Sequence, residues 1–303
     1  MSDIGLHDLS RCYGRSFTSC ELVVPALSRT YRIVADDGIF YLRLYRPIGR
    51  SPAEIAFEMR LQREVRPTPG LDVARPIRTT DGADCTCLPF EGVNRTAGLF
   101  QALDGRPIAN EPGDVVLFGS ALAKLHKAIA EIKGGDVRPL DPAALCARSL
   151  LSLTRIPNSE TIRRAVERCR AEMLADPTMQ GLPSGNCHGD ARLANAVIRD
   201  ASVGFFDFDD CGYGPYLIDL GTAVWHFAVG EPSRTEALIA AILEGYETER
   251  PLSPAERQAL PHFVRLAQIR ALLFLAEFCV LERDLWQTVF GRATNLLERD
   301  WSI

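Results

Sequence analysis

The sequence predicts an α+β fold of two lobes, a small antiparallel-sheet lobe carrying one helix and a larger, mainly helical lobe. Three observations lead there. Short alternating apolar runs separated by turn residues occupy the first ninety positions. Stretches with apolar residues three and four apart occupy most of the remainder. Within that helical part, residues 187–219 form a compact block of short strands and loops rich in Asp and Gly. The expected division is residues 1–91 and 92–303.

In the first lobe, residues 30–35 (TYRIVA) read as a strand, Asp36-Asp37-Gly38 as a hairpin turn that tolerates positive φ, and residues 39–45 (IFYLRLY) as the returning strand. Strand alternation puts Leu42 and Leu44 on one face, and Tyr41, Arg43 and Tyr45 on the other. An earlier strand is expected near residues 21–27. Ser51-Pro52-Ala53-Glu54 is a capping box with proline at the first helical position, so a helix starts there and runs to about Glu64, before Pro67. Residues 74–79 and, after the Asp81-Gly82 turn, 85–90 read as two further strands. Beyond Gly92 the pattern turns helical. Helices are expected over 114–130, where Val116, Leu117, Ala121, Leu122 and Leu125 form a stripe, over 158–174, over 234–246, and over 255–281 after Ser253-Pro254.

The 303 residues are enough to bury a full core, and 47% apolar with 24% charged residues is ordinary globular composition. A net charge of −5 with no basic stripe argues against a nucleic-acid partner. The longest apolar run, near residues 271–281, is broken by Glu277 and too short to span a bilayer, so no membrane partner is expected. The first residues lack a basic-then-apolar pattern, and a cytoplasmic location is expected. Nine scattered cysteines without C-x-x-C offer no zinc framework and read as reduced thiols.

Chemistry concentrates in His188-Gly189-Asp190-Ala191-Arg192-Leu193-Ala194-Asn195, an H-x-D-x4-N pattern. It is followed by the apolar strand Phe205-Phe206 running into Asp207. Phosphoryl transfer needs a carboxylate to orient an acceptor hydroxyl and take its proton, and hard oxygen ligands for Mg²⁺ on the phosphates. Asp190 suits the first need. The Asn195 carbonyl and the Asp207 carboxylate suit the second.

The block resembles the aminoglycoside phosphotransferase and choline-kinase-like family, which has a protein-kinase-like fold. That family shows H-G-D-x4-N, then an I-D-F-D-like strand, then D-L-A. Here Phe206-Asp207-Phe208-Asp209 and Asp219-Leu220-Gly221 stand in those places. The run from Leu117 to His126 is similar to the family's L-G-x-x-L-A-x-L-H helix. Glu244-Gly245-Tyr246 with Pro251-Leu252-Ser253 is similar to the homoserine kinase-like and bacterial stress-response Ser/Thr kinase subgroup.

The resemblance implies Asp190 as catalytic base, Asn195 and Asp207 as Mg²⁺ ligands, and His188 as the residue orienting the catalytic loop. Asp219 would brace that loop or cap the next helix. His126 ends an apolar stripe, which favours packing over chemistry. Arg192 stands near the transferring phosphate or faces the surface. Arg43 stands where the family has a strand lysine for the nucleotide phosphates, a swap that is not neutral because guanidinium is planar and bulkier. Its acidic partner is expected to be Glu58, with Glu54 second. Ser28, Arg29 and Thr30 lie where a phosphate-covering loop belongs. Residues 88–92, including Phe90, are expected to link the lobes and meet the nucleotide base, which Tyr41 would crowd.

The expected activity is transfer of the γ-phosphate of ATP, with GTP as alternative, to a small-molecule hydroxyl. A protein Ser/Thr acceptor, or a nucleotide-binding pseudokinase, are the alternatives. The acceptor is left open. Glu231, Glu244, Glu277 and Asp284 either line a cationic-substrate pocket or face water.

Overall fold

In the computed structural model, which describes residues 4–134, 137–230 and 232–301, an unpredicted helix α1 (Leu6–Tyr13) opens the chain. Strands β1 (Phe17–Pro25), β2 (Arg29–Ala35) and β3 (Gly38–Leu44) pair antiparallel, with Thr30 opposite Arg43. Helix α2 (Pro52–Glu64) begins at the predicted capping box, formed in both directions between Ser51 and Glu54. Strands β4 (Leu71–Val73), β5 (Pro76–Ile77), β6 (Thr86–Phe90) and β7 (Val93–Gln101) complete the first lobe's strand set. The sheet order is β1-β2-β3-β7-β5, with β6 also on β7.

Two expectations fail here. The strand expected over 74–79 is divided between β4 and β5, which belong to different sheets, because Pro76 has no N–H with which to continue a ladder. The linker expected at residues 88–92 is a hairpin instead. Phe90 pairs with Val93, and Glu91 and Gly92 take positive φ (49° and 80°), as a two-residue turn requires. The sheet therefore runs on to Gln101, and a division at residue 91 would cut it. The chain crosses to the second lobe after β7, where Gln101 N–H donates to Arg75 and Ala102 N–H donates to Ile39.

The second lobe runs through β8 (Arg106–Pro107), α3 (Pro112–Ala130), α4 (Pro142–Leu153), α5 (Glu160–Ala175), β9 (Ser184–Cys187), β10 (Ala196–Arg199), β11 (Ser202–Phe205) and β12 (Gly212–Pro215). It closes with α6 (Leu217–Gly230), α7 (Thr235–Glu249), α8 (Pro254–Phe278) and α9 (Arg283–Glu298). β4 joins β11, β10 and β8 in a second sheet, and β9 pairs with β12. Helices α3 and α7 approach backbone to backbone: a Cβ at Gly119 would meet the Ile242 carbonyl, and one at Gly245 the Val116 carbonyl. The L-F-G and E-G-Y motifs are thus the two halves of one close contact.

Leu42 and Leu44 face the core behind the first sheet together with Leu9, Tyr13 and Phe90, as alternation predicts. Phe57, Leu61 and Val65 of α2 instead join the core of the helical lobe. That packing seats the first lobe on the second. Helix α8 is long and apolar enough to cross a membrane by composition, yet more than half of its apolar stretch is buried in the lobe. All nine cysteines are unbridged.

Candidate active site

Between the lobes lies a cleft of about 530 Å³. Ser28, Thr30, Arg43, Glu58, Asp190, Arg192, Asn195 and Asp207 all line it. Three predicted site residues do not. His188 is fully buried behind the cleft. Arg29 points to Glu91 (3.1 Å) and stacks on the Phe90 ring. Phe90 itself is buried in the core behind the sheet, since it sits in a hairpin and not in a linker. The residues at the true crossing, Phe100, Gln101 and Leu103, take its place in the cleft wall, with Tyr41 and Phe206. The Glu91-Gly92 turn was the signal that could have found them.

The catalytic loop follows β9. Gly189 has φ +84°, and a Cβ there would run into the Asp210 carbonyl, so the residue between His188 and Asp190 must be glycine. Buried Asp219 accepts the backbone N–H groups of His188 (2.8 Å) and Gly189 (2.7 Å). His126 Nε2 stands 2.9 Å from the same carboxylate, and His126 Nδ1 stands 2.7 Å from the Tyr246 hydroxyl. Asp219 is therefore a brace, and His126, for which packing was expected, belongs to that brace. Burial works to raise the Asp219 carboxyl, but the hydrogen bond and charge from His126, with the nearby His188, hold it below the usual carboxylate range. His188 packs on the Phe208 ring and accepts the Asp190 N–H at Nδ1 (3.3 Å), while Nε2–H donates to the Phe206 carbonyl (3.0 Å). It ties the loop to the strand that delivers Asp207.

Asp190 Oδ2 accepts from Arg192 (2.5 Å) and from Asn195 Nδ2 (2.8 Å). Burial raises the Asp190 carboxyl above its ordinary value, against the pull of Arg192, with Asp210 adding to the rise. The Asn195 amide also donates to the Asp190 carbonyl (2.8 Å), so Nδ2 is committed and Oδ1 is left as the acceptor. Asp207 holds φ +64°, a conformation a non-glycine residue adopts only under local constraint.

The first-lobe side is an arginine–carboxylate network. Arg43 bridges Asp207 (2.8 Å) and Asp209 (3.1 Å). Glu58 does not pair with Arg43. It takes Arg50 (2.8 Å) and the Tyr45 hydroxyl (3.0 Å). Glu54 is spent on the capping box and on Arg138 (2.9 Å). Sequence reasoning overlooked Arg50, which has no strand or motif context. It also left Asp209 without a role, although that residue stands in the F-D-F-D run. Behind them, Asp210 lies below the usual carboxylate range: burial opposes this, and Arg270 and Arg138 outweigh it.

Among the described residues no three His, Cys, Asp or Glu side chains cluster as a metal cage. Asn195 Oδ1 and Asp207 nevertheless fit Mg²⁺, which keeps several waters and takes one or two protein oxygens beside phosphate oxygens. Of the C-terminal carboxylates, Glu277 is held by Arg148 and Ser152, and Glu244 and Asp284 are exposed. Glu231 lies outside the described residues.

Residues 22–259 match the model of the phosphotransferase enzyme family. A protein of Deinococcus radiodurans is 32% identical over 275 residues, covering 88% of this chain and 79% of that one. A homoserine kinase of Neisseria meningitidis is 28% identical, covering 84% and 81%. Among solved structures, an amicoumacin kinase in complex with AMP-PNP and Ca²⁺ superposes with a TM-score of 0.78 at 19% identity, covering 97% of this chain and 92% of that one. A microcompartment-associated aminopropanol kinase gives 0.72 at 21%, covering 96% and 94%.

Proposed function

Because the chain belongs to the phosphotransferase enzyme family, and is thus an ATP-dependent kinase acting on a hydroxyl, we propose that Asp190 is its base and that Asn195 and Asp207 are its Mg²⁺ ligands. The acceptor is a small hydroxylated molecule, the class to which the substrates named for the homoserine, amicoumacin and aminopropanol kinases belong. The observation that carries this reading is the convergence of Asp190, Asn195 and Asp207 on one cleft wall opposite Arg43.

Asp190 orients the acceptor hydroxyl and takes its proton. Its raised carboxyl makes it a stronger base than a solvated aspartate. Arg192, already on Asp190, places a positive charge beside the oxygen that attacks and the phosphoryl group that moves. Arg43 reaches the phosphates from the sheet. When bound, Mg²⁺ neutralises charge on the phosphate oxygens. Phe100, Gln101, Leu103 and Tyr41 wall the nucleotide base, and the hairpin of Ser28 and Thr30 covers it.

A coupled ADP-release screen of hydroxyl acceptors tests the proposal, with Asp207→Ala as blank. Turnover on a small molecule that the blank lacks is the expected result. Label from ATP on protein bands alone would move the acceptor to protein Ser/Thr. Undiminished turnover by the blank removes Asp207 from the metal site.

A further inference from the structure

We infer that Arg50, on the loop between β3 and α2, is the positioning residue that anchors the α2 glutamate, leaving Arg43 to serve Asp207 and Asp209. The inference rests on the nucleotide reading above and assigns work within that cleft.

Both Glu58 oxygens are occupied: Oε2 by Arg50 at 2.8 Å and Oε1 by the Tyr45 hydroxyl at 3.0 Å. Arg50 and Glu58 side chains are each 1% exposed. The second guanidinium nitrogen of Arg50 stands 3.0 Å from Asp209 Oδ1. One side chain thus joins the first lobe's helix to the loop of the second lobe that carries Asp207. Only a guanidinium can do this, because its nitrogens are splayed in a plane and a lysine offers a single point charge. The backbone aims it there. Gly49 has φ +77°, and its Cα side lies against the Phe278 ring, where a Cβ would collide. The chain turns at that glycine, and residue 50 enters the cleft just before the Ser51 cap. Arg43, on the strand opposite, finds no free oxygen on Glu58 and spans Asp207 and Asp209.

Double-mutant cycles on AMP-PNP affinity, measured by calorimetry with Mg²⁺ and paired with thermal unfolding, test this without knowledge of the acceptor. Arg50→Gln and Glu58→Gln should each weaken binding about tenfold, and the double variant should be no worse than the weaker single. Arg43→Gln and Glu58→Gln should multiply. If a single variant fails to fold because it strands a buried charge, recovery of folding in the neutral double supports the pairing. Arg50→Lys should recover the unfolding midpoint but not the affinity, since it reaches only one carboxylate. Multiplying effects of Arg50→Gln and Glu58→Gln, coupling of Arg43 with Glu58, or full affinity in Arg50→Lys would each overturn the assignment. Absence of AMP-PNP binding by the unaltered protein would overturn the nucleotide reading itself.

Discussion

The two walls of the cleft are built on different principles. The second-lobe wall is tied through its backbone: Asp219 takes two consecutive N–H groups, His188 joins the loop to the Phe206 carbonyl, and Gly189 lies against the Asp210 carbonyl. The first-lobe wall is tied through long side chains: Arg43 and Arg50 against Asp207, Asp209 and Glu58. Backbone anchors leave few residue types that fit. Ion pairs can trade partners while the charge balance is kept, and here they have. The difference teaches where a family motif can be trusted residue by residue and where only its charge carries over.

The largest test of this contrast is Asp190→Asn. Turnover on an identified acceptor should fall by about 10²–10⁴, the usual worth of a positioned base, with the unfolding midpoint held. Retained turnover would place the base elsewhere.

Next is Asp219→Asn, which strikes the backbone tie itself. Loss of one partner of a buried pair should cost about 3 kcal/mol in denaturant unfolding. The sign with pH follows from the lowered Asp219 carboxyl. Its unfolded form titrates near ~4, so its stabilisation is complete above that pH and is lost as pH falls through the lower folded value. The variant should therefore show a shallower acid limb than the unaltered protein. Equal limbs would exclude Asp219 as the acid-labile brace.

A smaller effect is expected on the side-chain-tied wall. Arg43→Lys keeps the charge but cannot bridge Asp207 and Asp209, and AMP-PNP affinity should drop by about tenfold or less, the worth of one charge-assisted hydrogen bond. A loss as deep as that expected for Asp190→Asn would erase the contrast between the walls.

The smallest effect belongs to Arg29→Ala. Its partner Glu91 is exposed and the pair lies outside the cleft, so stability should change by no more than ~1 kcal/mol and AMP-PNP affinity not at all. A marked loss of affinity would return Arg29 to the phosphate-covering loop.

The sequence by itself determined what neighbours along the chain can settle. The capping box at Ser51 starts α2, strand alternation sends Leu42 and Leu44 inward, and His188 to Asn195 sets two functional side chains at fixed spacing on one loop. Only the tertiary structure decided what depends on distant approach. Glu58 pairs with Arg50 and not Arg43 because two lobes bring Asp209 between them. Phe90 is core because its hairpin folds behind the sheet, and Phe100 meets the cleft in its stead. Local pattern reports torsions and faces. Which arginine reaches which carboxylate is a matter of long side chains meeting across a gap, and no spacing in the chain encodes it.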